Sequence, residues 1–235
     1  MLFRSTWFFE NEEMGIILED DCLPSQSFFW FCEGLLERYK HDQRISQISG
    51  VNLQSDYLVN DDSYYFSRIN NIWGWASWRD RWQDSYDIEM KKWPRIRDEG
   101  RMADWLCSSV EEKYWTNSFE QVYIGKINTW DYQWVFGSWL QGRLSVMPRQ
   151  NLISNIGFGP DATHTTEVTV LSNLQAVEMQ FPLRHSESIF ASRVLEMRFL
   201  EKICIVPLRR RVTNKICRLI QKLRATTASS KYSDL

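Results

Sequence analysis

Apolar residues recur at helical spacing at Phe28, Phe31, Leu35 and Tyr39, predicting a helix that follows Pro24, is capped by Ser25 or Ser27 and runs to about His41. Ile45 to Val51 instead alternates apolar and polar positions, the period of a strand, with Gly50 at its end. Tyr64 to Ile69 predicts a second strand leading into Trp73-Gly74-Trp75-Ala76-Ser77-Trp78, followed by a short helix from Arg79 to Tyr86. A mixed helical pattern from Glu89 to Asn117 is broken by Pro94 and Gly100. A helix from Asp131 to Leu140 is closed by Gly142, and Leu144–Met147 and Asn151–Ser154 read as strands. Gly157, Gly159 and Pro160 then mark a loop that carries His164.

The chain start is less regular. Ser5 reads as the cap of a helix through Trp7, Phe8 and Phe9 that Gly15 breaks. Ile16-Ile17-Leu18 is a short apolar run of the kind found in buried strands, and it stops abruptly at Glu19-Asp20-Asp21. Strands interleaved with helices predict an α/β fold, a mixed sheet flanked by helices.

Composition narrows the field. Twenty-eight basic and 30 acidic groups give a formal charge of −2, so no global charge points to nucleic acid. Cys22, Cys32, Cys107, Cys204 and Cys217 are odd in number and lack CxxC spacing, a pattern of free thiols in a reducing compartment. No apolar run is long enough for a transmembrane helix, and the first residues lack the apolar core of a signal peptide, so the expected location is cytoplasmic. From Arg193 to Arg224, ten basic residues face only Glu196 and Glu201, with Val212, Ile216, Leu219, Ile220 and Leu223 on one helical face. Two readings of this basic tail stand: peripheral contact with the anionic inner face of a membrane, or a solvated helix packed on its own domain. The expected organisation is a domain over residues 1–190, a basic helical tail over 191–224 and a disordered end over 225–235.

Nine of the 12 tryptophans lie between Trp73 and Trp134. An indole offers a flat apolar face with one N–H at its edge, which matches the C–H face and hydroxyl rim of a sugar ring. Core packing is the plainer reading of any single ring, but the cluster predicts that some of them line a groove.

The acidic triplet is the sharpest chemical feature. In open α/β sheets ligands bind outside the carboxyl ends of strands, where Glu19, Asp20 and Asp21 are expected. Adjacent carboxylates repel one another, and a hard divalent cation such as Mg²⁺ or Mn²⁺ relieves that repulsion while sharing its shell with phosphates. A solvated turn would carry the same residues.

Gly15-Ile16-Ile17-Leu18-Glu19-Asp20-Asp21 with Pro24 and Phe28-Phe29 resembles the DxD segment of GT-A glycosyltransferases. It is most similar to the Glu-Asp-Asp branch that includes N-acetylglucosaminyltransferase I and bacterial nucleotide-diphospho-sugar transferases. The likeness continues, in order, in Trp73–Trp78, in Thr129-Trp130-Asp131-Tyr132-Gln133-Trp134, and in Asn155-Ile156-Gly157-Phe158-Gly159 with His164.

The resemblance implies a GT-A fold and transfer of a sugar from a nucleoside-diphosphate sugar to a glycan or lipid-linked acceptor. It implies Mn²⁺ or Mg²⁺ held by Asp21 and His164, and a donor bound by Glu19, Asp20 and Gly74. The acceptor would lie on Trp73, Trp75, Trp78, Trp130 and Trp134. Asp131 would be the base, at a helix N-terminus that favours a carboxylate, giving inversion at the anomeric carbon; the family's Glu-Asp pair is here Trp130-Asp131. Only about eighteen residues precede Glu19, whereas GT-A folds place nucleotide-binding βα units there, so the expectation is an incomplete GT-A fold with weak donor binding. A carbohydrate-binding module and an inactive remnant are the competing expectations.

Overall fold

The computed structural model describes residues 2–57, 60–157 and 174–205. His164 and most of the basic tail lie outside them. The chain divides into two compact units, Met1–Glu196 and Met197–Leu235.

The first unit is α/β. It opens with α1 (Leu2–Asn11), β1 (Met14–Ile17), β2 (Cys22–Pro24), α2 (Gln26–Arg38), β3 (Ile45–Ser49), β4 (Tyr64–Ser67) and β5 (Trp75–Trp78). There follow α3 (Arg79–Ser85), α4 (Trp93–Asp98), α5 (Met102–Trp105), α6 (Ser109–Tyr123), α7 (Asp131–Leu140), β6 (Leu144–Pro148) and β7 (Ile153–Asn155). Helix α8 (Arg193–Leu200) crosses into the second unit and is followed by a π-helical turn, Glu201–Ile205. No helix among the described residues is long and apolar enough to cross a membrane.

The sheet is mixed, in the order β1-β5-β3-β6-β4, with β3 and β6 parallel and the other neighbours antiparallel. Strands β2 and β7 form a separate antiparallel pair. Strand β5 is buried along its whole length, and the two-residue period of a strand sends its tryptophans to opposite faces. Trp78 donates to the Leu36 carbonyl of α2 at 3.1 Å. Trp75 packs on the other face among Phe9 of α1, Trp82 of α3 and Trp134 of α7. The sheet therefore has α2 on one side and α1, α3 and α7 on the other.

Two expectations change at the chain start. Ser5 is an interior, buried residue of α1 rather than its cap. The apolar run is an edge strand, shifted to Met14–Ile17 and half-buried throughout, because it pairs only with β5 and Phe8 of α1 covers Gly15. Further along, α2 buries Phe28, Phe31, Leu35 and Tyr39 as their spacing requires. Pro94 sits in the first turn of α4, where its missing N–H costs nothing.

Two buried arginines lock the return from α2. Arg81 donates to the carbonyls of Tyr39 at 3.0 Å and Lys40 at 2.8 Å while paired with Asp80. Arg143 reaches the Gln43 carbonyl at 3.1 Å and Ser85 Oγ at 2.9 Å. Buried cations need this full set of acceptors to offset desolvation. At the end of the first unit, Glu196 accepts from the Arg68 amide at 2.7 Å and Arg193 donates to Glu111 at 2.7 Å.

Helix α7 lies so close to α3 that a Cβ on Gly137 would stand 1.8 Å from the Ser85 carbonyl oxygen. Gly34, exposed on α2, has nothing within 4 Å of a Cβ. Gly137→Ala is expected to destabilise the fold by about 3 kcal/mol or more, and Gly34→Ala to stabilise it by about 0.5–1 kcal/mol. Urea denaturation of both variants checks the pair; equal midpoints would overturn this account of the α3–α7 contact.

Candidate functional site

The Glu19–Cys22 segment is a tight turn, closed by the Cys22 amide donating to the Glu19 carbonyl at 3.1 Å. Its geometry decides which carboxylates can cooperate. Asp20 is exposed at the tip, while Glu19, Asp21 and Cys22 bring one ligand atom each to within 4.8 Å of one another. The sequence grouped Glu19 with Asp20 on the donor and gave the metal to Asp21 and His164. The turn instead pairs Glu19 with Asp21, and His164 lies outside the described residues.

The second wall of the turn comes from the end of β7. Ile156 donates its amide to the Asp21 carbonyl at 2.8 Å, extending the β2–β7 pairing by one step. A Cβ on Gly157 would stand 2.2 Å from Asp21 Oδ2, so a side chain there would have to displace this carboxylate. The Gly157 amide donates to Asn155 Oδ1 at 2.8 Å, a positioning contact that the sequence reading missed.

Gly74 lies behind the turn in a left-handed conformation, φ +67°, and its amide neighbourhood is tied down by Gly50 donating to the Gly74 carbonyl at 2.8 Å. Its missing side chain does not open a path for a sugar. A Cβ there would meet Ile153 Cδ1 at 2.6 Å and Leu18 Cδ2 at 3.1 Å. The glycine thus packs β7 and the residue before Glu19 onto the sheet.

Asp131 is the first residue of α7, and its Oδ1 accepts from Thr129 Oγ1. It belongs to the same electrostatic group. Glu19 is pushed up to about 7, first by burial and then by the charges of Asp21, Asp131 and Asp20. Tyr86 is also raised, by burial and then by Asp131. The Cys22 thiol is pushed up to about 12, mainly by burial, and stays protonated at neutral pH. A protonated thiol is a poor ligand for a hard cation, whereas the oxygens of Glu19 and Asp21 suit one. The two carboxylates therefore fit Mg²⁺ or Mn²⁺ in both chemistry and crowding.

No family model and no curated protein matches the chain. The likeness to GT-A enzymes rests on the four short motifs alone.

The tryptophans require a correction. Trp75, Trp78 and Trp134 are core residues, at 0%, 3% and 0% exposure, and cannot stack on a sugar. Trp73 is half-buried. Trp130 is nearly buried but borders an open cleft of about 560 Å³ that also meets Ile88, Ile127 and Gln133. A strand with helices on both faces buries alternate residues in both directions, and a tryptophan spacing of two or three does not reveal that.

The crowding sets a sign for stability against pH. Protonated Glu19 is the form that the fold favours, so its contribution is full below the ordinary value of 4.5 and is lost as pH rises through about 7. In metal-free protein, Glu19→Gln is expected to flatten the decline in Tm between these values. Millimolar Mg²⁺ or Mn²⁺ is expected to raise the parent Tm at pH 7.5 and to leave Glu19→Gln nearly unmoved. Parallel melting curves, with and without metal, in both proteins would contradict this origin of the shift.

Proposed function

We propose that this chain carries the metal- and acceptor-side machinery of a GT-A-type glycosyltransferase, which moves a sugar from a nucleoside-diphosphate sugar to a glycan or lipid-linked acceptor. One observation carries the reading: Glu19 and Asp21 share a side of one turn, Gly157 lies against Asp21, and the charge of Asp131 reaches Glu19. Asp131 and Gly157 are each more than a hundred positions from the acidic turn in sequence, and together the residues supply both a candidate cation-binding pair and a separate carboxylate.

Glu19 and Asp21 would hold the divalent ion, whose contribution when bound is to neutralise charge on a departing diphosphate. Asp131, oriented by the Thr129 hydroxyl, accepts the proton of an acceptor hydroxyl as that oxygen attacks the anomeric carbon. A base on the attacking side gives inversion. The exposed Asp20 remains available to donor hydroxyls. A binding module built on a tryptophan groove loses support, since the central rings are buried.

Turnover is measured on this chain with a panel of UDP-, GDP- and dTDP-sugars and Mn²⁺ or Mg²⁺. The expected result is metal-dependent transfer that Asp21→Ala and Asp131→Ala each lower by about 10²- to 10⁴-fold, with inverted product by NMR. Transfer that survives both substitutions, or a product with retained configuration, would refute the assigned roles. Absence of any turnover would refute the activity.

A further inference from the structure

Two residues that line a common depression, Tyr86 and Gln133, each carry a buried polar atom without a partner among the described residues. Gln133, one turn into α7, is 5% exposed, and its Nε2 donates to the Thr129 carbonyl at 2.8 Å. That bond fixes the amide orientation, because a carbonyl can face only the nitrogen. Oε1 is left as an acceptor with no donor. The hydroxyl of Tyr86 is likewise buried and unpartnered, and Tyr86 and Gln133 both line a depression of about 230 Å³. Gln133 also lines the adjoining cleft of about 560 Å³, whose wall carries Ile88, Ile127, Thr129 and Trp130. Native folds leave few buried polar atoms unsatisfied, and those that remain point to a missing partner.

We propose that these two depressions together form a binding site for a neutral saccharide, which under the glycosyltransferase reading is the acceptor. The lining has the mixed character that a pyranose requires. Ile88 and Ile127 are 55% and 41% exposed and, with the edge of Trp130, offer an apolar surface for C–H groups. Gln133 Oε1 receives a hydroxyl proton, and the Tyr86 hydroxyl can donate or accept. The charge nearby disfavours anions: Asp87 lines the smaller depression and Asp131 acts on Tyr86, while Asp84, also in the lining, is paired with Arg143 at 3.1 Å. Only Lys92 offsets them within that lining. A phosphate or uronate is therefore disfavoured, and a hydroxyl-rich uncharged ring is favoured. The acceptor surface thus consists of two isoleucines, one indole edge and two orphaned polar groups rather than a row of tryptophans.

The test is saturation-transfer NMR on the full chain with neutral hexoses, N-acetylhexosamines and their disaccharides, with inorganic phosphate and glucuronate as anionic controls. At least one neutral sugar is expected to bind in preference to the anions, and Gln133→Met and Ile88→Asp each to weaken it at least fivefold. Ile88 is at the surface, so the second variant tests the site even if the first disturbs folding. No binding by any neutral sugar, or binding that neither substitution weakens, overturns the proposal. The two readings fail separately. Saccharide binding without transfer from any donor removes the enzyme and keeps the site, whereas transfer with an unchanged acceptor KM in both variants removes the site and keeps the enzyme.

Discussion

The stack of aromatic rings around Trp75 is the constraint on which the arrangement of the first unit depends. Trp75 of β5 lies 6.2 Å from Phe9, 5.8 Å from Trp82, 5.6 Å from Trp130 and 5.9 Å from Trp134. One side chain thus joins the sheet to α1, α3 and the start of α7. Trp134 adds a hydrogen bond from Nε1 to Gln47 Oε1 of β3 at 2.6 Å, so its orientation as well as its depth is set. Truncating a buried ring of this size typically costs about 3–5 kcal/mol, a large part of the roughly 5–15 kcal/mol available to a domain. The cluster therefore acts through position. It brings the first turn of α7, and with it Asp131, to the end of the sheet from which the acidic turn emerges.

That placement has an electrostatic consequence. Packing brings Glu19, Asp20, Asp21 and Asp131 into one electrostatic region, and burial together with the neighbouring charges raises Glu19. By contrast, Arg81, Arg143 and Glu196 are more deeply buried than Glu19 but well supplied with partners. The fold thus satisfies its structural charges and leaves those at the acidic turn unbalanced. Unbalanced charge and orphaned polar atoms, at Gln133 and Tyr86, occur on neighbouring parts of the same surface.

Much of this architecture was legible along the chain, because the signals were local. Helix α7 begins at Asp131 and ends at Leu140, as periodicity and Gly142 indicated. The four buried positions of α2 follow from a 3.6-residue repeat, and Arg79 to Ser85 forms a helix just after the tryptophan-rich strand. The acidic turn was likewise visible, since an apolar run that ends in three carboxylates cannot continue into a core. The Ser5 expectation failed because a serine in a helical segment caps it or lies within it according to where the first turn begins, which packing of α1 against α3 decides.

The sequence by itself determined the α/β class and most element types, though not strands β2 and β5, because each depends on residues within a few positions of one another. Tertiary structure alone decided which chemical groups act together. It turned the tryptophans inward, since β5 is covered on both faces. It paired Glu19 with Asp21 instead of Asp20, since a tight turn puts its middle residue at the tip. It made Gly74 and Gly157 points of contact for Leu18, Ile153 and Asp21, and it left Gln133 without a donor. Each of these outcomes depends on the approach of segments distant in the chain, a quantity that no local pattern encodes.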